Sequence, residues 1–510
     1  MVLVRKEEKD AYFHGKRRSP WFNAICVCSI LYLLFLVTVN FLRYKKGYNF
    51  HDLFIFENSF WNTLHGHIFW NFYEFGNHLG VHFSPGLFLL VPFYALFPKP
   101  HTLLFLQSLA IALAGIPLFL LSLRILKDEA SSFLVTLCYW CYAPTLGAAF
   151  SGFHETPFVL PFLFATFLAL ESGNKRLFWV FVIFSLVWRE TFSLMFLFWG
   201  ISLLFRSQMR KTGRHLVLVS FAWMIWSFFI IMPLLRGAPV SSSMIQYRFP
   251  KEIGHSFPEI IQNFFRNPGF FLGFALQKEK VFYLLQLVIP LLFLPLFQPL
   301  TLIPILPQLG ENLLSSRLFG ASLLKHYTVP MIPFIYYALL KAVPRLTGLF
   351  EKRGIYGKRS IRLVTAIIFL LCLFMIFPSE VYVYVLKGER NKDEALHYVT
   401  PLELEAAKNM EGLAPRDASL AVSGHLAKYF ARRKVICYLS PGFMRVFPFD
   451  YLLYYAPSPD LNVFRTHRDL SLLLEKKYEL VDRKGRLYLF KRRTLEYPVE
   501  EQKIMKAIPQ

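Results

Sequence analysis

The sequence predicts a mostly α-helical polytopic membrane protein of about eleven transmembrane helices, followed by a small α/β domain at its C-terminal end. Three observations predict it. Of the 510 residues 55% are hydrophobic and 18% aromatic, and they lie in long runs of about twenty, the length that spans a bilayer as a helix. The basic excess, a formal net charge of +23, is clustered between those runs, where it orients a membrane protein; nucleic-acid binding, the other use of such a charge, is thereby disfavoured. From Ser379 onward the composition becomes that of a water-soluble domain.

The chain divides into a cytoplasmic basic N-terminus (1–20), a transmembrane domain (21–378) and an extracytoplasmic α/β domain (379–510). The apolar run after the N-terminus lacks a small-residue cleavage site and exceeds a signal peptide's apolar core, so it is read as a retained first helix, 21–43. A long first outer loop, 44–101, follows. Helices at 102–123 and 130–148 are joined by RILKDEA, and a fourth covers 156–171. The run 177–205 is too long for one span and is interrupted by WRET, which predicts two short helices meeting at a charged elbow. A helix at 215–236, a polar loop to about 280, Pro-rich helices at 281–297 and 299–312, and helices at 328–344 and 362–378 complete the domain.

Basic residues test this order, because short cytoplasmic loops collect Lys and Arg. The N-terminus (Arg5, Lys6, Lys9, Lys16, Arg17, Arg18), the loop with Arg206, Arg210, Lys211 and Arg214, and the one with Lys341, Arg345, Lys352, Arg353, Lys358, Arg359 and Arg362 all fall on one side. Arg124, Lys127, Lys175 and Arg176 join them. The stretch FSPGLFLLVPFYALFPKPH (83–101) is apolar but short and holds four prolines, so it is placed as a re-entrant or surface-lying helix within the first outer loop. The N-terminus is then inside and the C-terminal domain outside.

Five of the six cysteines (Cys26, Cys28, Cys138, Cys141, Cys372) lie within apolar runs and Cys437 has no evident mate, so neither a disulfide framework nor a zinc ribbon is expected. In the C-terminal domain PLELEAAKNMEGLAPRDASLAVSG predicts a helix, a turn and a strand; KVICYLS a second strand; RDLSLLLEKK a helix; and YELVDRKGRLYLFKR a terminal strand pair turning at Lys484–Gly485.

Ionisable groups concentrate in the outer loops. The first begins YNFHDLFIFENSFWNTLHGH and carries Asp52, Glu57 and Glu74; as a helix its Asp52, Asn58/Ser59 and Asn62/Thr63 share a polar face, giving an interfacial amphipathic helix with a carboxylate at its head. NHLGVHFSPG adds His78 and His82, whose i, i+4 spacing on a helix can hold a divalent cation or bond phosphate, or merely face water and backbone; Pro85 places the pair at a helix entry. SGFHETP supplies His154 and Glu155, and the elbow supplies Arg189 and Glu190, which alone would make an ordinary local ion pair. ENLLSSRLFGASLLKHYT supplies Glu311, Arg317, Lys325, His326 and Tyr327, the last three equally readable as an interfacial anchor of the next helix. Gln107, Gln286 and Gln308 within spans read as interhelical hydrogen bonders.

The segments HDLFIFENSFWNTLHGH, NHLGVHFSPGLFLLVPFYALF, SGFHETPFVLP, WRETFSL and KHYTVPMIPF, in that order, resemble an uncharacterised family of predicted multipass proteins, domain of unknown function 2079, over nearly the whole chain. More distantly that family resembles the C-type glycosyltransferase (GT-C) superfamily. This resemblance implies a GT-C-like helix arrangement and transfer of a sugar from a polyprenyl-phosphate-linked donor, reached from membrane lipids, to an extracytoplasmic acceptor. It implies Asp52 as general base, since a first-loop acid marks the superfamily and a carboxylate is ionised at neutral pH. Arg189 and Lys325 suit the lipid-linked phosphate, with Glu57, His78, His82, Glu190, His326 and Tyr327 as further substrate-binding residues. His154 and Glu155 match a metal-binding loop only partly, because the position two before the histidine, a carboxylate in the pattern, is Gly152 here. A divalent metal ion is accordingly the one cofactor considered. A secondary transporter would instead place charges at the midplane with internal repeats, which the sequence lacks, and a non-catalytic envelope protein demands nothing of Asp52.

Overall fold

The structure, a computed structural model, describes residues 19–46, 51–236, 249–254, 256–316, 320–351, 357–386, 399–439, 447, 449–456 and 477–493. The N-terminal basic cluster through Arg18, Arg317, Lys352, Arg353 and the helix expected from Arg468 lie outside the described residues, but for Lys477 at its end.

The chain is mostly helical. Among the described residues three helices are long and apolar enough to cross a membrane: Pro20–Lys45, Pro100–Leu126 and Ser207–Arg236. A fourth is made if Glu129–Cys141 and Ala143–Phe150, bent by 47°, act as one span. Length and composition thus identify three or four spans where the sequence predicts about eleven. The others are shorter or broken for local reasons. Thr156–Ser172 and Phe192–Leu204 are apolar but short, and the elbow between Lys175–Leu186 and Phe192–Leu204 falls at WRET as expected. Between Lys278 and Leu314, prolines 290, 295, 299, 304 and 307 cut the chain into short α and 3-10 turns, because each removes a helix donor and clashes with the preceding turn. Within 83–101, a 3-10 turn (Pro85–Leu89) and a six-residue helix (Val91–Leu96) are each too short to span. The loop expected to be polar holds two helices, Phe257–Arg266 and Pro268–Ala275. All six cysteines are free.

The first outer loop forms a helix, His51–Leu64, and a short hairpin of β1 (Trp70–Asn71) and β2 (Gly76–Asn77). Among its described residues the C-terminal domain holds helix Pro401–Glu411, started by a Thr400/Glu403 capping box, and five strands: β3 (Leu420–Val422), β4 (Ile436–Tyr438), β5 (Tyr451–Tyr455), β6 (Tyr478–Lys484) and β7 (Leu487–Arg492). They are ordered β4-β3-β5-β7-β6, with β3 parallel to both β4 and β5 and the rest antiparallel. The strand β5 has no clean alternation in sequence because it is central and mostly buried, so it reads as an apolar connector.

Period-two alternation assigns the two faces of this sheet to two cores. Leu420, Val422, Ile436 and Leu453 pack with the domain helix and with Phe54 and Ile55 of the first-loop helix. Ala421, Cys437 and Leu452 pack on the other face with Phe447, Phe449 and the hairpin residues Trp70 and Phe72. The first loop is therefore part of the C-terminal domain's interior. The expected interfacial helix is buried along almost its whole length, and its polar stripe is met by protein: Asn58 Nδ2 donates to the carbonyls of Ala431 and Arg433 at 2.7 Å each, and Asn62 Nδ2 to that of Trp70 at 3.0 Å.

Candidate functional site

Four segments between apolar runs meet where the N-terminal end of the first-loop helix lies beside the apolar helices. Gln107, on the helix after the first loop, fixes the SGFHETP turn: its amide donates to the carbonyls of Gly152 (2.7 Å) and Ala148 (3.2 Å), and its carbonyl accepts from the His154 backbone N–H (2.7 Å). Gly152 sits at φ 98°, a conformation open to glycine, so a carboxylate-bearing residue here would be strained. Gly147 lets the KHYT segment approach, since a β-carbon there would lie 1.6 Å from the Leu323 carbonyl oxygen. That contact carries His326 onto His154, with ring centroids 3.5 Å apart. The elbow is tied to the segment 83–101 by the Gly86 N–H, which donates to the Val187 carbonyl at 2.8 Å.

The ionisable groups form one network. His154 Nε2 lies 3.4 Å from Asp52 Oδ2. Arg189 Nη1 donates to Glu155 Oε1 at 2.6 Å, and its Nη2 lies 3.1 Å from His82 Nε2. His82 Nδ1 is 3.1 Å from Glu190 Oε1, so the consistent tautomer places the proton on Nδ1, donated to Glu190, and leaves Nε2 to accept from Arg189. His78 Nδ1 pairs with Glu74 at 2.9 and 3.0 Å, and Asn71 Nδ2 donates to Glu74 at 2.6 Å. The two histidines of NHLGVHF thus do not share a ligand; each ring turns to its own acid.

Burial opposes every charge here, and pairing decides which survive. For Glu155 and Glu190 burial works upward, but Arg189 on the first, and His82 with Arg189 on the second, bring both carboxyls below their ordinary value. Glu74 is likewise held low by His78, whose imidazole is raised in return despite its burial. His154 goes the other way: burial drives it down to about 4, against the pull of Asp52 and Glu155, with Lys325 and Arg189 adding to the fall. It is neutral at physiological pH. Glu311 and Tyr327 act on Arg189, which places them in the same field.

Asp52, His78, His82, His154, Glu155, Arg189, Glu190, Lys325, His326 and Tyr327 are thereby brought together. Glu57 is not. It is 1% exposed on another face of the helix, 3.8 Å from Arg432 Nε, and burial pushes it up to about 8 despite that guanidinium. Glu155 is committed to Arg189, and among the described residues no three His, Cys, Asp or Glu side chains converge as metal ligands. Two positioning groups were not legible as such: Glu74, which orients His78, and Gln107, which reads only as an interhelical hydrogen bonder. Nothing in a single sequence pairs Gln107 with a loop 45 residues away.

Residues 47–460 match the family profile described as predicted membrane protein (DUF2079), and the chain belongs to that family. No curated protein matches it. Among solved structures it is similar to the crystal structure of ArnT from Cupriavidus metallidurans bound to undecaprenyl phosphate, at 12% identity and a TM-score of 0.48, over 94% of this chain and 100% of that one.

Proposed function

We propose that this member of the DUF2079 family is a membrane glycosyltransferase that moves a sugar from a polyprenyl-phosphate-linked donor to an extracytoplasmic acceptor, with Asp52 as general base. One observation carries the reading. Glu155 and Glu190 are buried and Glu74 is only 11% exposed, whereas the Asp52 side chain, beside the neutral His154 imidazole at the rim of the same network, is 37% exposed and is the acid most open to an incoming hydroxyl. A carboxylate so placed can take the proton of an acceptor hydroxyl as its oxygen attacks the sugar's anomeric carbon. The bond from that carbon to the donor phosphate breaks, and the phosphate keeps the electron pair. Arg189 and Lys325 are the fixed cations that would favour the charge developing there, with His78, His82, Glu190, His326 and Tyr327 shaping the phosphate's surroundings.

In this reading the eleven crossings put the N-terminus in the cytoplasm and the C-terminal domain outside, roofing the site and contacting the acceptor. His154 Nε2, buried without a hydrogen bond, and Asp52 beside it would be the ligands of a divalent cation; two side chains fall short of the three that hold a resident metal, so no step is assigned to one.

Mass spectrometry of lipids copurifying with the protein should reveal a polyprenyl-phosphate sugar, and Asp52→Asn should lower transfer about 10²- to 10⁴-fold in the protein's native membrane while leaving insertion unchanged. Full activity in that variant would exclude Asp52 as the base. A water-soluble solute bound in place of the lipid would favour a transporter.

A further inference from the structure

A cavity of about 440 Å³ lies apart from this network, between the first helix and the helix that follows the outer loop. It is lined by Val37, Thr38, Phe41 and Leu42 on one side and His101, Leu104 and Phe105 on the other, with Asn40 at its floor. The Asn40 amide is turned to protein, donating to the Ala149 carbonyl at 3.1 Å. Phe41, Leu42 and Phe105 are each more than 40% exposed, so the groove opens onto the outer apolar surface. Cationic residues flank its His101 end in the chain and across the contact with Tyr44. The Tyr44 ring packs on His101 at 4.7 Å and lies under Lys428 Nζ at 5.7 Å. Lys45 and Lys46 follow Tyr44, Lys99 precedes His101 by two residues, and Arg432 Nη1 donates to the Pro98 carbonyl at 3.4 Å. The facing acid is Glu57, buried behind Arg432.

We propose that this groove is a site for one anionic phospholipid of the outer leaflet, its acyl chain against Phe41, Leu104 and Phe105 and its phosphate among the exposed Lys45, Lys99 and Arg432. An apolar slot with cations at one end fits a molecule that is hydrocarbon below and anionic above. A zwitterionic lipid would fill the slot and waste the charge. The first-loop helix presents Asp52 to His154 and Glu57 to Arg432, so it stands between this mouth and the network. The occupant is therefore a resident lipid, distinct from the proposed sugar donor, and the inference does not depend on sugar transfer.

The test reconstitutes the full chain in nanodiscs of equal phosphatidylglycerol and phosphatidylcholine, re-extracts it into detergent, and quantifies the retained lipid by mass spectrometry. Wild type should retain phosphatidylglycerol at least about fivefold over phosphatidylcholine, the preference expected from one well-placed cation. Thr38→Trp, at an exposed lining position, should abolish retention. The double variant Lys45→Glu, Lys99→Glu should bring the preference near unity while lipid is still held. Asp52→Asn should leave all of this unchanged even though it removes transfer. Retention that mirrors the bulk composition, a Thr38→Trp protein that holds as much lipid, or a polyprenyl phosphate recovered from the groove would each overturn the proposal.

Discussion

Glu57 illustrates at the residue scale how far environment departs from residue type. In sequence it is one of three first-loop acids, expected to bind substrate beside Asp52. In the structure it is buried, and desolvation, opposed by Arg432, carries it from 4.5 to about 8. The folded protein therefore holds a proton that the unfolded chain has released between about pH 4.5 and 8, and stability falls as pH rises through that window. Glu57→Gln should flatten the fall, making the variant the more stable protein above pH 8 by a few kcal/mol. Thermal melts in detergent from pH 5 to 9 would measure it, and parallel wild-type and variant curves would mean that Glu57 is not desolvated. The residue types of the network and their placement between apolar runs were legible from the sequence; partners were not. The i, i+4 spacing of His78 and His82 pointed at a shared ligand, but the backbone there is a 3-10 turn, and each ring finds a carboxylate four or 108 residues away.

Elements were legible where composition breaks sharply. WRET, four polar or bulky residues in an apolar run, marked the elbow, and the prolines marked the short, broken helices of 83–101. What escaped was broken or central structure: β5, and the way prolines cut 278–314 into short turns. Close approach was also hidden. Gly147 in TLGAAF looks like any small residue in an apolar helix, yet it is the point where the Lys325–Tyr327 segment is pressed against the helix carrying the His154 turn. Gly147→Ala must displace the Leu323 carbonyl, an overpacking that costs about 1–3 kcal/mol or more. It should lower the melting temperature and cut sugar transfer, with Gly310→Ala, where an added β-carbon meets nothing within 4 Å, as the neutral control. Unchanged transfer in Gly147→Ala would show that the His154–His326 stack does not matter to the reaction.

For the whole molecule, the boundary drawn at residue 379 separates compositions but not cores. Phe54 and Ile55 fill one face of the C-terminal sheet, and Trp70 and Phe72 fill the other. Phe72 is 1% exposed and packs on Phe447 and Phe449 with ring centroids 4.7 and 5.3 Å away. The same loop delivers Asp52 to His154 from the other end of its helix, so the sheet domain acts as a splint for the candidate base. Phe72→Ala should remove about 3–5 kcal/mol from this joint. If the sheet domain and first loop fold as one unit, limited proteolysis should cut within 399–493 faster in the variant, and transfer should fall although residue 72 lies on the sheet side of the loop. A sheet domain that stays protease-resistant in Phe72→Ala would instead be an independent module merely resting on the loop, and Asp52 would owe its position to the membrane helices alone.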